Sequence, residues 1–388
     1  MSWIARLLES VLEIGLQRRR PGGRPPFRPD RVRRILVVRK DNIGDVPCTT
    51  PALRALRRAF PSAHLALLVA EHCRDVVARN PDVDEVLTYT KAKHRAGSLG
   101  LVALWDLTRV IRGLRARAFD LAVVMGRPCS RSAAWLAYVS GARWRLGYST
   151  AALQPFPFFL NLCCDPGAMT SHEVDGCLEL LASIGIPAAG RQLTLIPDAG
   201  AQAAVRRRLA EVQAPGGGGL AFFHISARRE DNRWPLASFA QAADALSERL
   251  GLSILLSWAP GDASNPLFPG DDGRAVEVAA TMRVRPILLR TPTLEELIAA
   301  VSLSDFVLSP DGGVMHIAAA LKIPQVALFG GGGTQHWSPM NDRSVVLQRD
   351  GCVDRISVEE VVASSITVMA RGGVYGAVAA PEGREPGA

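Results

Sequence analysis

The chain has 388 residues, of which 48% are hydrophobic, 21% charged and 6% aromatic, ordinary globular usage that excludes a disordered, collagen-like or disulfide-scaffold protein. Its formal charge of +8 is concentrated: residues 1–40 carry eleven Arg and Lys against three acids. The rest of the chain is therefore neutral, which argues against a nucleic-acid footprint spread over the body.

Seven cysteines without a CxxC pair indicate neither a zinc ribbon nor a disulfide framework and read as reduced thiols in a cytoplasm. No apolar run reaches about 18 residues, so no transmembrane helix is expected.

In chain order, the first predicted element is an amphipathic helix over 3–16. Trp3, Ile4, Leu7, Leu8, Val11 and Leu12 share one face opposite Arg6, Glu9 and Glu13. The acids interrupt the apolar stretch and Arg18, Arg19 and Arg20 follow it, the wrong order for a cleaved secretory signal. With the Arg- and Pro-rich stretch 21–29 behind it, this helix has two readings. It lies in a lipid interface with residues 1–20 as a peripheral membrane contact, or it docks on the protein's own surface.

From Arg34 onward short β-rich runs alternate with longer helical ones, the pattern of repeated βαβ units over a parallel sheet. Strands are predicted at 35–39, 64–69, 85–89, 119–125 and 144–148, with helices at 50–59, 71–79 and 99–117. Residues 191–219 read as a linker carrying one short basic helix, closed by four glycines at 216–219. A second series follows, with strands at 220–226, 253–258, 286–289, 305–309 and 325–329 and helices at 236–250, 294–303 and 314–321. The tail 371–388, rich in Gly, Pro and Ala, is expected to be disordered. Two open sheets of this kind bind ligands beyond the carboxyl ends of their strands.

The candidate chemistry sits at those ends. After the first strand comes Lys40-Asp41-Asn42-Ile43-Gly44-Asp45. Asp45, near a helix start that favours its ionised form, is a candidate general base, and Gly44 lets a ligand approach. Asp45 is equally an ordinary N-cap. In the second half Asp311, Gly312 and Gly313 open a helix after a strand, offering amide N–H groups to phosphate oxygens, or forming only a tight turn. The four glycines 330–333 follow the last predicted strand and form a second loop or a flexible connection. Arg228, Arg229 and Arg233 suit a diphosphate, or belong to a solvated loop. Asp82-Val83-Asp84 reads as a turn. No HExxH motif, metal-spaced His/Cys cluster or GxSxG elbow is present, so neither a catalytic metal nor a cofactor is indicated.

Four stretches then carry a resemblance. ILVVRKDNIGDVPCTTPALRALRRAFPSAHLALLV at 35–69, NPDVDEVL at 80–87, RWPLASF at 233–239 and DGGVMHIAAALKIPQVALFGGGGTQHWSP at 311–339 look like the signatures of glycosyltransferase family 9, the heptosyltransferase-like enzymes of lipopolysaccharide core synthesis. The similarity runs from about 34 to 347.

It implies an α/β protein of the GT-B class, with two Rossmann-like domains facing each other across a cleft. The N-terminal acceptor domain would span 34–190 behind the arm 1–33, and the nucleotide-sugar domain 220–370. It implies inverting, metal-independent transfer of a heptose or related sugar from a nucleotide donor such as ADP-heptose to an anionic glycolipid. Asp45 would be the base, with Asn42 and Gly44 at the acceptor. Asp311, Gly312, Gly313 and His316, with Arg233, Arg228 and Asp262, would hold the donor. The setting would be cytoplasmic, at the inner face of the inner membrane.

Three departures stand out: the family usually has Thr at position 312, Lys at 232 and a GPT turn where 330–333 lie. They leave open a binding protein that has lost turnover, or an epimerase or hydrolase on the same scaffold.

Overall fold

The structure, a computed structural model, describes residues 26–89, 100–127, 129–149, 158–165, 167, 171–212, 219–265 and 269–371. The predicted helix 3–16, the membrane contact at residues 1–20 and nearly all of the 371–388 tail lie outside these residues. The chain divides into two compact units. The first runs to Ile196 and includes Gln335–Ser338; the second comprises the remainder from Pro197.

The first unit contains β1 (Arg34–Arg39), α1 (Asp45–Ala59), β2 (His64–Ala70), α2 (Arg74–Val77), β3 (Glu85–Tyr89), α3 (Gly100–Ala116), β4 (Leu121–Val124), α4 (Arg131–Val139), β5 (Trp144–Tyr148), β6 (Leu162–Cys164) and α5 (Glu173–Ala182). All strands are parallel, in the order β3-β2-β1-β4-β5-β6. β1 is central and buried along Ile35–Arg39, as a parallel strand covered by helices on both faces must be.

The second unit contains α6 (Ala199–Glu211), β7 (Leu220–His224), α7 (Leu236–Leu250), β8 (Ser253–Ser257), α8 (Asp272–Thr281), β9 (Ile287–Leu288), α9 (Leu294–Ser302), β10 (Phe306–Pro310), α10 (Gly313–Ala320), β11 (Gln325–Phe329), β12 (Ser344–Gln348) and α12 (Val358–Arg371). A one-turn helix, α11 (Thr334–Trp337), precedes β12. The sheet order is β12-β11-β10-β7-β8-β9, again all parallel. Counted from the first strand of each unit, both sheets have the Rossmann order 3-2-1-4-5-6. Strand order reverses between β1 and β4 and between β7 and β10, where such sheets bind ligands.

The two sheets share one fastening device at the opposite, amino edge. Asp120, just before β4, accepts the amides of Arg33 and Arg34 at 2.8 and 2.9 Å. Asp305, just before β10, accepts the Leu220 amide at 2.8 Å. Each aspartate ties the central strand to its neighbour.

Several elements differ from the sequence expectation for identifiable reasons. α1 begins at Asp45, five residues before the predicted start, with Pro47 and Pro51 inside it. Pro47 falls in the first turn, where no N–H is needed. Pro51 leaves the Pro47 carbonyl without its usual amide donor, and the Thr50 hydroxyl donates to that carbonyl instead at 2.7 Å. The predicted helix 71–79 is only a 3₁₀ turn followed by the single-turn α2, and β9 keeps two residues.

Unpredicted are β6, β12, α4, α5, α8, α11 and α12. α12 reads as β-branched and low in propensity, but Val361, Val362, Val368 and Met369 form one buried stripe, so packing overrides propensity. The RWPLASF stretch is explained by the second core. Trp234 is fully buried, meets Phe239 edge-on at 4.9 Å and donates its indole N–H to the Ile356 carbonyl at 3.0 Å. Among the described residues no helix is long and apolar enough to cross a membrane.

Candidate active site

At the carboxyl edge of the first sheet a charged strand end organises the loops around it. β1 closes on Arg39, which is 1% exposed. Its Nη1 donates to Glu173 Oε1 at 2.7 Å and its Nη2 to Asp45 Oδ1 at 3.1 Å. Asp41 Oδ2 lies 3.1 Å from Nε. A buried guanidinium is costly to desolvate, and only this surrounding set of carboxylates makes its burial tolerable.

Asp45 is the first residue of α1 and not its cap, a position held by Gly44. The Asp45 carboxylate reaches back three residues, where Oδ2 accepts the Asn42 amide at 2.6 Å. The Asp45 side chain remains 10% exposed. Each of its oxygens has a second lone pair able to take a proton from an alcohol.

Gly126, just after β4, completes the turn at the switch point. Its φ is +106°, and a Cβ there would stand 2.9 Å from Asp41 Oδ2 and 3.2 Å from Arg39 Nη1, so only glycine fits. The next residue, Arg127, donates to the Ser171 carbonyl at 3.0 Å and the His172 carbonyl at 3.2 Å. These bonds fix the start of α5. The His172 ring caps that helix by accepting the Val174 amide at 3.1 Å. The first residue of α5 is Glu173, also 1% exposed. Its Oε2 lies 3.1 Å from His336 Nε2, and His336 Nδ1 lies 2.9 Å from the Ser171 carbonyl. Burial works against the Glu173 carboxylate, but Arg39 and His336 overcome it and hold its pKa down to about 2.

At the carboxyl edge of the second sheet the organiser is a neutral amide. Asn232 is 4% exposed. Its Nδ2 donates to Asp311 Oδ2 at 3.1 Å, and its Oδ1 accepts the Gly330 amide at 3.0 Å. One side chain thus joins the loops after β7, β10 and β11. A lysine here would still meet Asp311 but would leave the Gly330 amide without an acceptor. Burial pushes the Asp311 carboxyl above its ordinary value, against the Asn232 bond and the Arg229 charge.

The glycines of this edge are not equivalent. At Gly330 a Cβ would sit 1.7 Å from the Asp231 carbonyl oxygen, and at Gly331 it would be 3.0 Å from Arg229 Nη2. Gly312 has φ 168°, extended backbone, and a Cβ there would meet nothing nearer than the Pro310 carbonyl at 3.9 Å. The glycine at 312 is therefore not needed to open the amides of α10.

The structure gathers Asn42, Gly44 and Asp45 at the first edge, and Asp311, Gly312 and Gly313 at the second. His316 is buried inside α10 at 3% exposure, away from the helix start. The guanidinium of Arg233 is committed to Asp271 at 2.8 Å and lies 3.4 Å from Glu230, and Arg228 is exposed. Arg229, paired with Asp231, is the arginine whose charge acts on Asp311. Asp262 is an exposed turn residue whose Oδ1 accepts the Ser264 amide at 2.8 Å. Sequence reasoning gave no role to Arg39, Arg127, Glu173 or His336. The visible signal was Arg39, a charge ending an otherwise apolar strand.

The family model for glycosyltransferase family 9 (heptosyltransferase) matches residues 107–360. Lipopolysaccharide heptosyltransferase 1 of Salmonella typhimurium is 26% identical over 76% of this chain and 88% of its own length. Among solved structures, the glycosyl transferase family 9 protein from Veillonella parvula superposes with a TM-score of 0.75 at 22% identity, over 87% of this chain and 97% of that one. The E. coli heptosyltransferase WaaC with ADP superposes with a TM-score of 0.65 at 20% identity, over 84% of this chain and 97% of that one. These likenesses agree with the paired Rossmann-like sheets of the GT-B class. The chain belongs to glycosyltransferase family 9 and is a glycosyltransferase.

Proposed function

We propose that this enzyme moves a heptose or related sugar from a nucleotide donor, ADP-heptose, to a lipopolysaccharide-core glycolipid, with inversion and without a metal. The observation that carries the reading is Asp45, a carboxylate held by Arg39 at the switch point of the first sheet with 10% of its side chain still exposed. Asp45 takes the proton of the acceptor hydroxyl as that oxygen attacks the anomeric carbon. The diphosphate leaves from the second sheet's edge, stabilised by the first amides of α10 and by Arg229.

The ADP in the E. coli WaaC structure supports ADP as the nucleotide, and the heptosyltransferase relatives support heptose as the sugar. Asn232 holds the edge together in place of the family's lysine. Arg228, Arg233, Asp262 and His316 are further donor-binding residues in this reading. The acceptor is lipid-linked, so the enzyme works at the inner face of the inner membrane, where residues 1–20 supply a peripheral contact.

The test is transfer from ADP-heptose to heptose-deficient core acceptor, with the anomeric configuration of the product read by NMR. An inverted product with a chelator present is expected. A retained configuration, or abolition of activity by chelation, would contradict the reading. Removal of residues 1–30 is expected to lower co-sedimentation with anionic vesicles and to leave transfer to a soluble acceptor fragment intact.

A further inference from the structure

We propose that Glu173 is a positioning residue for Asp45: it takes up part of the Arg39 guanidinium, so that Arg39 orients Asp45 while sharing its charge with a second buried carboxylate. This rests on the reading of Asp45 as the base.

The site contains a conflict. A carboxylate paired alone with a buried arginine is strongly favoured in its ionised form and is a poor proton acceptor. Asp45 touches a fully buried arginine, yet that arginine is shared. Its shortest contact, 2.7 Å, goes to Glu173, against 3.1 Å to Asp45. Glu173 is also the better buried carboxylate, with 1% of its side chain exposed against 10% for Asp45, so water screens its attraction less.

Glu173 keeps its charge against burial chiefly through Arg39, with the His336 ring 3.1 Å from its other oxygen. The His336 ring contacts the Ser171 carbonyl through Nδ1 and Glu173 through Nε2. Contacts thus run in line from His336 through Glu173 and Arg39 to Asp45.

Among the described residues, the charged and titratable groups around the Arg39–Asp45 pair come from four elements and the loop after β1. β1 gives Arg39, and the following loop gives Asp41 and the Asn42 amide. α1 contributes Cys48, α5 contributes Glu173 and Cys177, and the segment Gln335–Ser338 contributes His336. Burial pushes the Cys177 thiol up to about 12 and the Cys48 thiol well above its ordinary value, so neither adds charge. Glu173 is placed with care: Arg127 holds the carbonyls of Ser171 and His172 ahead of it. At Gly176, one turn on, a Cβ would stand 2.2 Å from Arg127 Nε.

The experiment compares Glu173→Gln with the parent enzyme through the pH profile of kcat/KM, with ADP affinity measured alongside. Without the Glu173 charge, Arg39 is shared only by Asp45 and Asp41 and bears more strongly on Asp45. The acid limb is expected to move down by about half a pH unit or more, and plateau kcat to fall roughly 10- to 100-fold, with ADP affinity unchanged. His336→Gln removes the ring that competes with Arg39 for Glu173 and is expected to move the acid limb the opposite way, a split that a merely structural role would not produce. It also keeps the proposal testable if Glu173→Gln fails to fold. Acid limbs that stay at the parent position in the folded variants would overturn the proposal. Asp45→Asn in the same assay separates the two ideas. If it abolishes turnover while the Glu173 and His336 variants leave the limb in place, only the Glu173 proposal falls. If it retains turnover, the reading of Asp45 falls and takes this inference with it.

Discussion

β1 and β7 hold the same place in sheets of the same strand order, and each is tied at its amino end by an aspartate from the strand beside it, Asp120 and Asp305. At the carboxyl ends they diverge. β1 ends on Arg39, kept charged among Glu173, Asp41 and Asp45. β7 ends on His224, whose Nδ1 is buried without a hydrogen-bond partner and whose pKa burial pushes down to about 4. The amino edges repeat because they build the sheet. The carboxyl edges differ because one is a charged cluster that can take a proton and the other is a set of loops joined through Asn232.

The contrast is sharpest where a charge is removed. Arg39→Met is expected to leave buried carboxylates uncompensated and to cost about 3–5 kcal/mol of stability in urea titration; a loss below about 1 kcal/mol would mean that the cluster relaxes freely.

Acid should act on the two edges in sequence. An unfolded His224 binds a proton below its ordinary value of 6.5, whereas the native residue does so only near 4. Its contribution is therefore complete above pH 6.5 and lost as pH falls through 4, about 3 kcal/mol in all. Glu173 contributes fully above 4.5 and loses its contribution only as pH falls through about 2. Stability measured from pH 7 to 4 should decline in the parent, and His224→Gln should flatten that decline; an equal slope in both would place the loss elsewhere.

At the second edge Gly330→Ala drives a methyl into the Asp231 carbonyl and is expected to cost roughly 1–3 kcal/mol. Gly312→Thr, into open space, should change stability by less than about 0.5 kcal/mol. Equal effects at the two glycines would contradict the account of this edge.

Much of this was legible in the chain. The alternation of apolar runs and helical stretches gave both sheets, and the strand-to-helix turns marked Asp45 and Asp311. The charged cluster was not legible, because Glu173 reaches Arg39 from 134 positions away in sequence, and His336, which meets Glu173, lies 297 positions from Arg39. The helix carrying Glu173 is capped by a histidine, so it lacks the Ser or Asp that usually announces a helix start. Asn232 looked like a missing lysine because its two partners come from loops far along the chain.

The central claim is that proton transfer belongs to the first edge and nucleotide binding to the second. Asp45→Asn, measured for transfer from ADP-heptose and for ADP affinity by calorimetry on one preparation, tests it most directly. The account predicts turnover lowered by about 10²- to 10⁴-fold with ADP affinity unchanged. Turnover close to the parent's, or affinity lost in step with it, would contradict it.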